Sequence, residues 1–333
     1  MIPFKTRLLP TLAAMTAISL SLAGCGGNPQ GGDASQTTAS STAATTTIED
    51  NHGSVTVPNP PKSVIVTDNR LFEPLHDWGV KLAAAPVDLM ADDAGYKKDT
   101  SIVDLGNHRE PNLEAAVGVS PDLVINGQRF AKYYEEFKKL VPEAAVVDLD
   151  VRDGQPFDKE LIRQVTVSGE IFGKQEEAAK LVSEFEASIA RVKAVYKPDA
   201  KVIGIITSGG KINYAAPTTG RTLGPVYDIL GLTPALAAAG SDDHQGEEIS
   251  VEAIAEANPD WILVMDRDAA IGSESGTVVP AQQMLNDSAA LQNVTAIQKK
   301  QVLIMPPDTY LNESIVTYTE FFNAMADAME ASA

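Results

Sequence analysis

Arginines recur in this sequence where apolar, strand-like runs end. Once Arg7 in the apolar N-terminal segment is set aside, eight arginines remain, and five of them follow such runs or lie in a loop rich in glycine and threonine: Arg70, Arg109, Arg129, Arg221 and Arg267. Ligands of open α/β sheets bind beyond the carboxyl ends of the strands. Arginine stays charged and offers a planar fork of donors that suits anions. The placement favours a cleft that receives an anion over a chance scatter of surface arginines.

The sequence does not contain the usual enzyme motifs. The segment "GIITSGGKI" resembles a phosphate-binding loop, but five residues separate Gly204 from Gly210 where four are required, and Ile212 replaces the expected Ser or Thr. No G-x-S-x-G or H-E-x-x-H motif occurs. The histidines stand singly at 52, 76, 108 and 244, which makes a zinc site improbable. We therefore predict a protein without catalytic activity or a resident cofactor.

Composition narrows the choice of partners. The formal net charge is −19, and removal of residues 1–24, which carry Lys5 and Arg7 but no acid, would make it −21. Such an excess of acid argues against nucleic acid or anionic lipid as a partner. In so acidic a chain, clustered arginines are correspondingly more informative.

The elements that must position the arginines occur twice. The segment 113–125, "LEAAVGVSPDLVI", aligns with 251–263, "VEAIAEANPDWIL", and each reads as a short helix, a Pro-Asp break and a buried strand. Apolar strands at 62–68 and 200–208 precede them, each followed by a helix that ends at glycine (72–80 and 224–232). The three matches lie in the same order, with an offset of roughly 138 residues for the strands and the Pro-Asp segments, which indicates two similar α/β lobes.

Between the repeats, Lys174 to Tyr196 has one apolar stripe at helical spacing. At 1.5 Å per residue, such a helix would be roughly 35 Å long, about one domain diameter. The predicted fold is α/β, with two Rossmann-like lobes joined by a long linker helix and a ligand cleft between them. We place the N-terminal lobe at 51–157, the linker helix region at 158–197 and the C-terminal lobe at 198–333.

The front of the chain predicts export. A basic start and an apolar run precede "LAGC", which has the layout of a signal peptide (1–24) followed by a bacterial lipobox. Cys25 is the single cysteine of the chain, which is explained best if it carries a lipid anchor on the outer face of the cell membrane. The next residues are mostly Gly, Ser, Thr and Ala, so we predict a disordered tether over 25–50.

Taken in order, "PDLVING-R", the linker helix, "GRTLGPVYDILG", "H-x-G", "NPDWILVMDR" and "PPDTYL" resemble the substrate-binding lipoproteins of ferric-siderophore importers, most closely the catecholate type. The resemblance covers roughly Val55 to the C-terminus. It implies that Arg129, Arg221 and Arg267 line the cleft and that His244 and Tyr310 can complete the coordination shell of iron. Two segments depart from the usual pattern, since "HQGEE" and "YLNES" replace "HGQ" and "YLSGG".

The resemblance further implies a monomer that binds a ferric siderophore and delivers it to the permease and ATPase of an ABC transporter. It assigns permease docking to Glu73 and Asp228, on the outer tips of the lobes. Because a tris-catecholate fills all six positions of Fe(III), His244 and Tyr310 would matter most for a bis-catecholate, which leaves two positions open. A haem or other metal-chelate binder stays the alternative within this class, since His and Tyr can both ligate haem iron. A surface-anchored hydrolase is the alternative outside it.

Overall fold

The computed structural model describes residues 44–92, 94–272 and 278–332. They form two α/β lobes, each built on a five-stranded sheet, with a β-hairpin at the front and a pair of helices between the lobes. The hairpin consists of β1 (Thr45–Asp50) and β2 (Gly53–Pro58), and the helix pair of α4 (Phe157–Phe172) and α5 (Gln175–Val195). None of the helices in these ranges is both long enough and apolar enough to cross a bilayer.

The N-terminal lobe alternates strands with short helices. Its elements are β3 (Val64–Val66), α1 (Phe72–Asp77), β4 (Ala84–Ala85), β5 (Val103–Asp104), α2 (Glu114–Gly118), β6 (Leu123–Asn126), α3 (Tyr134–Leu140) and β7 (Ala145–Asp148). The sheet order is β5-β4-β3-β6-β7 and every pair is parallel. The order reverses beside β3, which makes the carboxyl end of this strand a topological switch point.

The C-terminal lobe repeats this plan. Its strands are β8 (Lys201–Ser208), β9 (Lys211–Ala215), β10 (Thr233–Pro234), β11 (Trp261–Asp266) and β12 (Val302–Ile304). Its helices are α6 (Gly224–Leu230), α7 (Val251–Ala257), α8 (Arg267–Ile271), α9 (Ala281–Asp287), α10 (Thr295–Gln298), α11 (Thr309–Asn312) and α12 (Ile315–Ala331). The parallel order β10-β8-β11-β12 reverses beside β8, while β9 adds an antiparallel pairing to it. The predicted fold class is confirmed.

The Pro-Asp breaks have the same structural role in both lobes. The carboxylate of Asp122 accepts hydrogen bonds from the backbone N–H groups of Lys62 and Ser63, just before β3, at 2.9–3.0 Å. The carboxylate of Asp260 accepts one from the backbone N–H of Lys201, at the start of β8, at 2.9 Å. In each lobe, the aspartate that precedes one central strand thus accepts from backbone N–H groups at the start of the neighbouring central strand. Without it, these donors would lack a partner.

The connection between the lobes differs from the prediction of one linker helix. The predicted helix over Lys174–Tyr196 is present as α5, but it packs mainly on α12 of the C-terminal lobe. Helix α4 is the one that contacts both halves, because it touches β1 on one side and α6 and α12 on the other. Gly173 ends α4 in the left-handed conformation (φ 66°), and α5 follows two residues later. The linker is therefore a helical hairpin.

The predicted tether extended to residue 50, which is wrong for its last six residues. Strand β1 begins at Thr45 and pairs with β2 over its full length. Ile48 and Val57 are buried against the core, and the carboxylate of Asp50 accepts a hydrogen bond from the backbone N–H of Asp148 in β7 at 3.0 Å. The composition of this segment suggested a tether because few of its residues are apolar. The signal peptide, Cys25 and the rest of the tether lie outside the described residues.

Candidate functional site

A cleft of about 570 Å³ lies between the carboxyl ends of the two sheets. Both lobes and the start of α4 contribute to its wall. The charged and imidazole side chains among the lining residues are Arg70, His108, Arg129, Asp150, Asp153, Arg221, Asp242, His244 and Glu313. This is the position at which the strand-end argument predicts a ligand.

The three arginines singled out by the resemblance converge on one aromatic ring. Arg129 follows β6, Arg221 lies between β9 and α6, and Arg267 is the first residue of α8, directly after β11. Their guanidinium carbons lie 5.3, 5.0 and 5.0 Å from the centroid of the Tyr310 ring. Distances below about 6 Å are those of cation–π contacts. Residues from four separate segments of the chain are thus brought to one point.

Tyr310 is buried in α11, and the arginines cover it. Only 7 % of the residue is exposed, and its backbone carbonyl accepts a hydrogen bond from Nη2 of Arg129 at 2.9 Å. This bond joins the N-terminal lobe to the C-terminal lobe. Tyr310 and Arg267 are not among the lining residues of the cleft and reach it through Arg129 and Arg221. A ligand in the cleft therefore meets guanidinium groups before it meets the phenol.

His244 completes the group, with its ring centroid 6.2 Å from that of Tyr310. Nη1 of Arg221 lies 2.9 Å from Nδ1 of His244. Because a guanidinium can only donate, Nδ1 is the acceptor and the proton of the neutral ring is on Nε2. Burial, together with Arg221 and Arg129, lowers the pKa of His244 below its ordinary value, so the neutral ring is favoured. Coordination of iron through Nε2 would require the other tautomer and loss of the Arg221 hydrogen bond.

No group of three or more His, Cys, Asp or Glu side chains suited to a metal ion occurs in the part of the chain that the structure describes. The predicted role of His244 and Tyr310 is that of additional ligands to iron that arrives already chelated. Their predicted coordinating role is compatible with the proximity of the two rings and stays a prediction.

Glu313 is the main site residue that the sequence interpretation missed. It is 4 % exposed, and Oε2 accepts hydrogen bonds from Nη2 of Arg221 and Nε2 of Gln128, both at 3.2 Å. Thr222 donates its hydroxyl proton to Oε1. Burial would raise the pKa of Glu313, but Arg221 and Arg70 outweigh it and the pKa falls to about 2. The available signal was the departure at "YLNES", where Glu313 stands in place of a glycine.

Arg70 also follows a strand, but its charge is already balanced. Nη1 lies 3.2 Å from Oδ1 of Asp150 and 3.9 Å from Oδ1 of Asp68, and Nη2 lies 3.8 Å from Oε2 of Glu313. Burial lowers the pKa of Arg70, but these three carboxylates outweigh it and the net shift is upward. The remaining strand-end arginine, Arg109, is exposed and is not a lining residue of the cleft.

Asp68 interacts with Arg70, as Glu313 does, but its pKa shifts in the opposite direction. Its side chain is completely buried and accepts hydrogen bonds from the backbone N–H of Arg70 at 2.9 Å and from Nε2 of Gln164 in α4 at 2.8 Å. Burial is the largest cause and raises the pKa of Asp68 to about 6, although Arg70 acts in the opposite direction.

The two residues assigned to permease docking have different surroundings. Asp228 is exposed in α6 and accepts a hydrogen bond from the Thr218 hydroxyl at 3.1 Å. Glu73 in α1 is only partly exposed, and its Oε2 accepts hydrogen bonds from Nδ2 of Asn312 at 2.9 Å and from the Ser314 hydroxyl at 3.1 Å. Glu73 thus contacts the other lobe through Asn312 and Ser314, whereas the prediction placed it on an outer tip, and its docking role stays a prediction.

Comparisons with known proteins agree with this architecture. The chain is 30% identical over 274 residues to the ferric-anguibactin-binding protein FatB of Vibrio anguillarum, covering 81% of this chain and 83% of the relative. It is 28% identical over 279 residues to the petrobactin-binding protein YclQ of Bacillus subtilis, covering 82% of this chain and 84% of the relative.

Solved structures give the same result. The structure of YclQ matches with a TM-score of 0.73 at 25% identity and covers 86% of this chain and 99% of that one. The catecholate-siderophore binding protein VctP of Vibrio cholerae matches in fold with a TM-score of 0.72 at 21% identity, over 86% of this chain and 100% of that one. A family model described as periplasmic binding protein matches residues 64–309. The chain, with its two lobes and the polar cleft between them, therefore belongs to the periplasmic binding protein family.

Proposed function

We propose that the protein captures a ferric siderophore in the cleft and delivers it to the permease of an ABC importer. The observation that carries the proposal is the convergence of Arg129, Arg221 and Arg267 on Tyr310. The relatives named above bind ferric anguibactin and petrobactin, which supports the same ligand class for this chain. Capture and release require no bond to be made or broken by the protein.

The chemistry of the cleft suits a catecholate chelate. Iron bound by catecholates is anionic, and guanidinium groups donate charge-assisted hydrogen bonds to the catecholate oxygens. The same groups offer flat faces to aromatic rings, as Tyr310 already illustrates. Haem is the competing ligand, because His244 and Tyr310 could serve as axial ligands. Its recognition would require the phenol of Tyr310 to become accessible beneath the arginines.

Titration of the purified protein, without residues 1–24, tests this function. We expect saturable 1:1 binding of a ferric bis-catecholate by calorimetry, with much weaker binding of iron-free ligand and of haem. Both tryptophans are buried, Trp78 near the end of α1 and Trp261 in β11, and neither lines the cleft. Calorimetry and the absorbance of the iron complex are therefore more direct than tryptophan fluorescence. Binding of haem alone would overturn the proposal.

We further propose a lipid anchor at Cys25, on the sequence argument given above. In cells, Cys25→Ser should move the protein from the membrane fraction to the soluble exported fraction, while the purified variant keeps its affinity. Retention of the variant in the membrane would contradict the anchor.

For permease docking, we propose Asp228 as the more accessible of the two predicted residues, with Glu73 in a supporting role. Asp228→Lys should reduce uptake without changing ligand affinity. Glu73→Lys should change both uptake and ligand affinity, because it also breaks the contacts to Asn312 and Ser314. Normal uptake by the Asp228 variant would remove that residue from the docking surface.

A further inference from the structure

The cleft is less positive than its arginines suggest. Its lining includes the guanidinium groups of Arg70, Arg129 and Arg221. It also includes four carboxylates, from Asp150, Asp153, Asp242 and Glu313. Arg267, beside Tyr310, brings the numbers of positive and negative groups level. A site of this composition does not match the three negative charges of a ferric tris-catecholate.

Among these four carboxylates, Glu313 interacts most strongly with the arginines that line the cleft. Asp153 and Asp242 are exposed to solvent, so water screens them, and Asp150 pairs with Arg70. Glu313 is buried and bonded to Arg221, and it lies within 3.8 Å of Arg70. Buried charges are screened much less than exposed ones. The negative charge of Glu313 therefore acts on whatever anion Arg221 binds.

The backbone holds Glu313 at this point. The residue follows α11 as its C-terminal cap with φ 47°, in the left-handed region that is unfavourable for side chains other than glycine and asparagine. Glycine would be the relaxed choice, yet this chain has a glutamate whose carboxylate has four partners or near partners: Gln128, Arg221, Thr222 and Arg70. A strained conformation that is fully supported by its surroundings is typical of functional positions.

We infer that Glu313 is a specificity-determining residue that selects iron chelates of low negative charge, such as a mono-anionic ferric bis-catecholate, over a trianionic ferric tris-catecholate. The inference rests on the proposed function and narrows its substrate class. A bis-catecholate contributes four negative charges to Fe(III) and a tris-catecholate six, so the complexes differ by two charges. A fixed carboxylate several ångströms away repels the second complex more strongly at every distance.

The experiment compares both complexes on the wild type and Glu313→Gln, which keeps the size of the side chain and an acceptor oxygen for Arg221, while the Thr222 hydroxyl can turn to accept from the amide. We expect wild type to prefer the bis-catecholate and Glu313→Gln to improve tris-catecholate affinity by about 100-fold relative to bis-catecholate affinity, or about tenfold per ligand charge. The shift should largely persist at high salt, because Glu313 is buried. Glu248→Gln is the matched control, because Glu248 is exposed, pairs with Lys211 and lies outside the cleft lining.

The outcomes separate the two proposals. If wild type binds both complexes but Glu313→Gln changes their affinity ratio less than about threefold, or no more than Glu248→Gln does, the specificity role is overturned and the proposed function stands. If wild type binds neither complex, the proposed function itself fails. Should Glu313→Gln not fold, Glu313→Gly suits the left-handed backbone and removes the same charge, and the same ratio decides.

Discussion

Two strand-end arginines, one in each lobe, differ in the charge that they make available to a ligand. Arg70, after the first strand of the N-terminal sheet, is held by Asp68, Asp150 and Glu313. Arg267, in the C-terminal lobe, contacts the hydroxyl of Ser208 at 3.0 Å and the ring of Tyr310, and neither group is a carboxylate. The fold thus determines where an arginine lies, and the acids around it determine whether its charge remains for a ligand.

The largest effect should come from Arg70→Met. Removal of the guanidinium leaves Asp68 and Glu313 buried with fewer partners, and breaking a buried ion pair costs about 3 kcal/mol or more. We expect urea denaturation at pH 7 to show this loss in the free energy of unfolding, while the folded variant changes ligand affinity less than about threefold. A stable variant with strongly reduced affinity would reverse the contrast between Arg70 and Arg267.

Arg267→Met should show the reverse pattern, with a lower ligand affinity and little change in stability. Arg267 lies behind the lining arginines, so its charge should act on the anion over a longer distance than a direct charge-assisted hydrogen bond, which contributes about 1.5–3 kcal/mol. Affinity for a ferric bis-catecholate should therefore fall roughly tenfold. The free energy of unfolding should change by less than about 1 kcal/mol, because among the described residues Arg267 contacts the Ser208 hydroxyl and the Tyr310 ring. Calorimetry gives the first quantity and urea denaturation the second. Arg109→Met, at an exposed strand-end arginine of the other lobe, should leave both unchanged.

The dependence of stability on pH should distinguish the two buried acids. The folded-state pKa of Asp68 is raised to about 6, so its contribution is present below about pH 4 and lost as the pH rises to 6. The pKa of Glu313 is lowered to about 2, so its contribution is present above about pH 4.5 and lost as the pH falls to 2. Relative to Asp68→Asn, wild type should be more stable at pH 4 than at pH 7, by on the order of 2 kcal/mol. A flat difference would show that Asp68 is ionised normally.

Tyr310→Phe should lower affinity less than Arg267→Met does, without a large change in stability. The variant keeps the ring beneath the three arginines, and we expect affinity for a ferric bis-catecholate to fall about fivefold, or about 1 kcal/mol. If the phenolate coordinates iron, the ligand-to-metal absorption band should also shift. Tyr133→Phe is the control in the N-terminal lobe, where the hydroxyl donates to the backbone carbonyl of His108. Identical spectra for the wild type and Tyr310→Phe would leave recognition to the arginines alone.

Prediction from the sequence succeeded where the pattern was periodic or repeated. Apolar runs and the Pro-Asp repeats gave the strands of both lobes, and strand ends gave the positions of Arg129 and Arg267. Prediction failed where tertiary contacts determine the position of a residue or the partner of a helix. The apolar stripe of α5 could not show that its partner is α12, and nothing near Glu73 shows that Asn312 reaches its carboxylate from 239 residues away. Glu313 has an ordinary polar neighbourhood in sequence, and only the fold brings Arg70 and Arg221 to it.

Helix α4 has a consequence for the kinetics of transport. It begins in the cleft wall at Phe157, donates from Gln164 to Asp68 in one lobe, and packs on α6 and α12 of the other. Rotation of one lobe against the other would have to bend this helix or break that buried hydrogen bond. We expect opening by thermal motion alone to be small and the residence time of a bound chelate to be long. Under the proposed function, release would be driven by the permease, if its contacts with the lobes supply the work of bending α4.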